Sequence, residues 1–149
     1  MKRTKMLVAV LLVLMLSVVS FAAPKIALIM KTLTNPFFLT MKDGAVQAGK
    51  DFGVDLLVVS AELETSIMQQ ISLIQDMTTQ KVDAIVIAPI DSKAVVPALA
   101  EAQKAGIHII NIDNAIDLVA AEAGGLDVEI FISADNTIGG QLATAYLAS

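Results

Sequence analysis

Residues 83–114, DAIVIAPIDSKAVVPALAEAQKAGIHIINIDN, hold the pattern that decides the fold. DAIVIAP (83–89) and IHIINID (107–113) are short runs that stay apolar without alternating. A strand with one wet face alternates, whereas a strand covered on both faces reads as a continuous apolar run. Between them, from about Ser92 to Ala105, Val95, Leu99 and Ala102 recur at helical spacing, and Gly106 closes the segment. Strand, helix and strand with short connections make a right-handed βαβ unit.

The same rhythm extends outward. KIALIM (25–30), DLLVVSA (55–61) and VEIFISAD (128–135) read as further strands. A first helix is expected with Asn35 as N-cap, Pro36 at its first position and Gly53 as its stop, with Met41, Ala45, Ala48 and Phe52 inward. A second begins at a capping box, Ser66-x-x-Gln69, and turns Ile67, Ile71, Ile74 and Thr78 inward. The fold class is therefore α/β, a doubly wound parallel sheet. The interval 114–127, NAIDLVAAEAGGLD, shows no clear period and reads as a long loop, of the kind that carries function or crosses between domains. The closing segment NTIGGQLATAYLAS starts a helix with no C-cap after it and reads as an element cut short.

At the N-terminus, Lys2, Arg3 and Lys5 precede an apolar run of 14 residues, Met6–Val19, and the small-x-small pattern Ser20-Phe21-Ala22. This is the layout of a secretory signal peptide over residues 1–22, and the run falls short of the roughly 20 residues that span a bilayer. Removing it leaves 127 residues with seven Lys, no Arg and all fifteen acids, a net charge of −8. Such a balance disfavours nucleic acid, which needs clustered cations, and leaves no Arg fork for phosphate. With zero Cys, no disulfide framework exists and stability must come from core burial. The processed chain should stay out of the membrane.

Ligands of open parallel sheets bind beyond the carboxyl ends of the strands. The residues there are Lys31, Thr32, Asn35, Phe37 and Phe38 after the first strand, Ser60 and Glu62 after the second, Pro89, Asp91 and Ser92 after the third, and Asp113 with Asn114 after the fourth. Asp135 and Asn136 follow the fifth. No Gly-rich turn follows the first strand, as a dinucleotide site requires, and G-x-S-x-G is absent. The lone His108 lies inside a strand and reads as a packed or sheet-surface residue. No His or Cys cluster supports zinc, and D-x-D-x-D-G calcium spacing is absent. Neither a catalytic residue, a metal nor a cofactor is expected. The rim instead suits a neutral polyhydroxyl ligand: carboxylates and amides match hydroxyls, and an aromatic face covers the apolar C–H patch. On the bland alternative Asn35 is a helix cap, the phenylalanines are core, and Asp113-Asn114 is a turn.

IALIMKTLTNPFFLTMKDGAVQAGKDFG, DAIVIAPIDSKAVVPALAEAQKAGIHIINIDN and ISADNTIGGQLATAYLA together resemble periplasmic sugar-binding proteins of the ribose-binding type. These are solute receptors of ABC importers and share their fold with the sugar domains of LacI-type repressors. The resemblance implies two α/β lobes closing on a monosaccharide or polyol, delivery to a membrane permease, and residence in the periplasm. It assigns residues 23–113 to the first lobe, 114–127 to a crossover or hinge, and 128–149 to the start of a second lobe that is largely missing. It also implies that Asn35, Phe37, Phe38 and Asp113 contact the sugar. Three positions depart from the ribose-type motif: Lys31 replaces a Ser, Ala88 an Asn, and Asn114 an Arg. The expected ligand contacts are thus Lys31, Asn35, Phe37, Phe38, Asp91, Asp113 and Asn114. Two other functions compete: a half-receptor that self-associates through an open sheet edge, and an exported hydrolase using the Asp113 and Glu62 carboxylates.

Overall fold

The computed structural model describes residues 22–149, so the signal sequence expected over 1–22 lies, but for its last residue, outside the described residues. Five strands, β1 (Lys25–Met30), β2 (Asp55–Ser60), β3 (Ala84–Ile87), β4 (His108–Ile112) and β5 (Ile130–Ile132), form one sheet in the order β2-β1-β3-β4-β5. Every pairing is parallel. The helices are α1 (Pro36–Phe52), α2 (Ile67–Thr79), α3 (Val96–Lys104), α4 (Leu118–Gly124) and α5 (Asn136–Leu147). The expected α/β doubly wound sheet is present, and its direction of winding reverses beside β1.

Side chains alternate across the sheet, which is why both parities in the strands are apolar. Ala27, Ile29, Ile85, Ile87 and Ile109 face one way, under Ile74 and Met77 of α2, Leu99 and Ala102 of α3, and Ala121 of α4. Leu28, Met30, Ala88 and Ile112 face the other way, where Phe38, Met41 and Ala45 of α1 cover them. Each fully buried Ile or Leu in these layers contributes roughly 1.5–3 kcal/mol by leaving water.

α1 starts where expected: the Asn35 side chain accepts the Phe37 N–H at 3.0 Å, Pro36 occupies the first turn, and Gly53 ends the helix at φ 65°. Its inward stripe is displaced in part, however. Met41 and Ala45 face the sheet as expected, together with Phe38 and Gly49, whereas Ala48 and Phe52 are exposed. Gly49 is buried against β2, where an added Cβ would sit 3.4 Å from the Leu56 Cβ, an ordinary packing distance. The capping box does not form either. Ser66 makes no side-chain cap, and Gln69 reaches back to accept the Glu62 N–H at 2.7 Å. α3 begins four residues late because Asp91 folds 91–94 into its own turn, accepting from the Lys93 and Ala94 N–H groups at 2.9 and 2.8 Å.

The interval 114–127 is not a loop between lobes. It contains α4, capped by Asp117, whose Oδ1 accepts the Ala120 N–H at 2.8 Å, and by Gly125 at φ 69°. Two boundaries drawn from the sequence change accordingly. Beyond α4 the chain re-enters the same sheet, with Ile130 paired to Ile110 and Ile132 to Ile112, so residues 130–132 belong to this lobe. β5 and α5 are thinly covered: Phe131 is 48% exposed, and α5 has no buried residue. His108 lies at the sheet surface as expected, its Nδ1 2.9 Å from the Glu129 Oε1. No helix among the described residues is long and apolar enough to cross a membrane.

Two glycines separate packing from chain entropy. A Cβ on Gly124 would lie 2.6 Å from the Val96 Cγ1, whereas one on Gly44, inside α1, meets nothing within 4 Å. Gly124→Ala should therefore lose about 1–3 kcal/mol by overpacking α4 on α3. Gly44→Ala should gain about 0.5–1 kcal/mol by restricting the unfolded chain. Urea denaturation reads both, and changes of the same sign would contradict the packing described.

Candidate functional site

The carboxyl ends of β4 and β5, the first two turns of α1 and the start of α5 surround a cavity of about 550 Å³. Phe37 and Met41 of α1 form one side, Ile112 and Asp113 the base, and Ile132, Ser133, Ala134 and Asn136 the far wall. Phe37 and Asp113, expected to share a site, therefore line one cavity.

The two phenylalanines divide the roles that the sequence offered. Phe38 is 3% exposed and is core, whereas Phe37 is 54% exposed and presents its ring to the cavity. Their rings meet edge to face, centroids 5.2 Å apart at 77°, so the buried ring fixes the exposed one. Lys31 ends beside Phe38 and Asp113. Its Nζ lies 3.1 Å from the Asp113 Oδ2 and 5.7 Å from the centre of the Phe38 ring. A long side chain that spends its stem in the core can bring an ammonium to such a place, where aromatic face and carboxylate both attract it. Asp113 adopts φ 64°, a left-handed conformation that Asp tolerates better than most residues but that still needs support from its surroundings. Its N–H donates to the Ile132 carbonyl at 3.0 Å, tying the ends of β4 and β5 together.

Five expected contacts do not line the cavity: Lys31 and Phe38 are buried, and Asn35, Asp91 and Asn114 stand outside it. Asn35 is committed at both ends: its oxygen caps α1, and its Nδ2 donates to the Glu64 Oε1 at 2.9 Å. Asp91 stands on the rim with one oxygen accepting two backbone N–H groups, and the Ala94 and then the Lys93 amide hold its carboxyl below its ordinary range. Asn114 is exposed and outside the lining, contributing its main-chain carbonyl to the turn. Glu62, the second carboxylate of the hydrolase alternative, does not line the cavity, where Asp113 is the only acid.

Behind the rim lie three buried polar side chains, of which Thr32 was among the expected strand-end residues and Gln70 and Asn111 escaped the reading of the sequence. Thr32 Oγ1 donates to the Glu62 carbonyl at 3.2 Å. Gln70 clamps the end of β3, donating to the Ala88 carbonyl at 2.9 Å and accepting the Ile90 N–H at 2.8 Å. Asn111 organises the turn after β4. The available signal was a polar residue inside an otherwise apolar run, as Asn111 is in IHIINID.

Fold and cavity define a class, a doubly wound α/β lobe with a ligand-sized cleft at its strand ends. The family described as "Periplasmic binding protein domain" matches residues 26–149, and the chain belongs to that family. A D-ribose/D-allose-binding protein of Pseudomonas aeruginosa is 44% identical over 127 residues, covering 84% of this chain and 40% of the relative. The D-allose-binding periplasmic protein of Escherichia coli is 34% identical, covering 90% and 43%. Among solved structures, an ABC transporter solute-binding protein from Burkholderia multivorans superposes with a TM-score of 0.79 at 43% identity, covering 85% of this chain and 45% of its own. A carbohydrate transporter solute-binding protein from Agrobacterium radiobacter, in complex with D-arabinose, gives 0.71 at 35% identity, covering 83% and 39%. The chain spans less than half the length of these proteins.

The Lys31–Asp113 pair has a measurable consequence, because the two side chains are only 10% and 21% exposed. Lys31→Met should cost about 1–3 kcal/mol by leaving a mostly buried carboxylate unpaired. Adding Asp113→Asn should restore part of that loss, and strictly additive losses in urea denaturation would contradict the pairing.

Proposed function

We propose that this lobe supplies one wall of the binding site of an extracytoplasmic receptor that captures a monosaccharide or polyol for an ABC-type importer. The observation that carries the reading is the exposed face of Phe37 on the same cavity as Asp113, whose carboxylate is paired from behind with Lys31. The ring offers an apolar plane to the C–H face of a sugar. Asp113 has one oxygen on Lys31, and its other is an acceptor for a hydroxyl. The Lys31 ammonium carries three donors, of which Asp113 takes one. A volume of about 550 Å³ lies in the range of small-molecule sites. Relatives named for ribose and allose binding, and a structural neighbour in complex with D-arabinose, support the same ligand class. The role is capture and delivery to a permease after export by the signal sequence, and no bond is made or broken.

Calorimetric titration with D-ribose, D-allose, D-arabinose and glycerol tests this. One or more should bind, and Phe37→Ala should weaken that binding about tenfold through lost ring burial. Leu39→Ala, on the same helix but outside the cavity lining, should leave it unchanged. Absence of binding by all four, or equal loss in both variants, would reject the reading.

A second reading, self-association, is favoured by the exposed edge strand β5, whose Ile130, Phe131 and Ile132 are each about half exposed. Sedimentation velocity should then show a dimer that Phe131→Lys converts to monomer; a monomer at all concentrations would remove this reading.

A further inference from the structure

We infer that Asn111 is the positioning residue of the site, setting the left-handed turn that delivers the Asp113 carboxylate to the cavity. This inference rests on the ligand role proposed for Asp113. Asn111 is the last-but-one residue of β4 and is 1% exposed, yet it is an amide in a strand whose other residues are three isoleucines and the exposed His108. Its side chain does not face the cavity lining. Its Nδ2 donates to the Asn114 carbonyl at 2.8 Å and to the Ile112 and Ile87 carbonyls at 3.3 Å each. Its Oδ1 accepts the Ile116 N–H at 2.9 Å. One side chain thus gathers the backbone on both sides of Asp113 and anchors it to β3.

The consequence falls on one residue. The Ile112 carbonyl belongs to the peptide that enters Asp113, and the Asn114 carbonyl lies one residue beyond it. With both drawn to one amide and the Asp113 N–H held by Ile132, the backbone at Asp113 is fixed at φ 64°. An Asp left to itself prefers negative φ. Relaxation to the extended region would swing the carboxylate away from Lys31 and from the cavity. A hydrophobic residue at position 111 would fill the same space but could not gather these carbonyls.

The test is a thermodynamic cycle with a conformational readout. In Asn111→Ala, binding of whichever of D-ribose, D-allose or D-arabinose the parent protein takes should weaken about tenfold or more. Asp113→Gly keeps the left-handed backbone while removing the carboxylate, so in that background Asn111→Ala should weaken binding less than about twofold. Equal loss in both backgrounds would mean a merely structural role and overturn the inference. The NMR HN–Hα coupling of Asp113 should rise in Asn111→Ala from a left-handed toward an extended value, and an unchanged coupling also overturns it. If Asn111→Ala does not fold, Asn111→Thr, which keeps one hydroxyl in a residue suited to strands, is read the same way. Should no sugar bind the parent protein, the sugar reading fails alone, and the coupling still decides the role of Asn111.

Discussion

Parallel pairing of β1, β3 and β4 is the constraint on which the rest of the lobe depends. It buries both faces of the central strands, so polar side chains have no place along them and gather at the ends. It also aligns those ends. Met30 and Ile112 finish β1 and β4 on the same face, two strands apart, with β3 between. Lys31 can then cross the end of β3 and meet Asp113 at 3.1 Å. A shift of one residue in either strand would turn these side chains to opposite faces. The short β3 matters as well: it ends at Ile87, and the small Ala88 beyond it leaves room for the crossing.

Much of this was legible in the sequence, for a physical reason. Continuous apolar runs and helical stripes report burial, and burial dominates the energy of the fold. Val95, Leu99 and Ala102 are inward as their spacing requires, and the Asn35-Pro36 and Gly53 signals mark the ends of α1 because their effects are local. What failed depended on competition between neighbours. Phe52 fits the stripe of α1, yet it is the last residue of the helix and is 80% exposed, while Gly49, three residues earlier, takes the buried position against β2. Gln69 had the spacing of a capping box, but the Glu62 N–H was the better-placed donor. α4 is too short for a periodic signal; only its caps, Asp117 and Gly125, announce it, and they resemble loop residues.

The site divides in the same way. That the strand ends would carry it follows from topology, and Phe37, Asp113 and Lys31 were all named in advance. Which of the rim residues turn inward was not legible, because each short polar side chain has two possible employers. Asn35 and Asp91 cap turns, and a capping oxygen is positioned by its own backbone rather than by the cavity. The residues that shape the rim from beneath, Gln70 and Asn111, are invisible to a reading that looks for exposed chemistry. They make contact only with backbone, and backbone acceptors leave no mark in the sequence.

The cavity is consequently asymmetric in stiffness. Its inner side rests on Ile112, Phe38 and the Lys31 ammonium, all buried in packed layers. Its outer side, Ile132 through Asn136, belongs to an edge strand of three residues and the start of a helix with no buried side chain. Local stability falls where few apolar contacts hold an element, so the outer wall is the part that a bound molecule must order or that further protein must cover. Ordering costs free energy and subtracts from affinity. On the function proposed, a ligand would meet Phe37 and Asp113 on the stiff side at little ordering cost, whereas any ordering of Ile132 through Asn136 would subtract from its affinity.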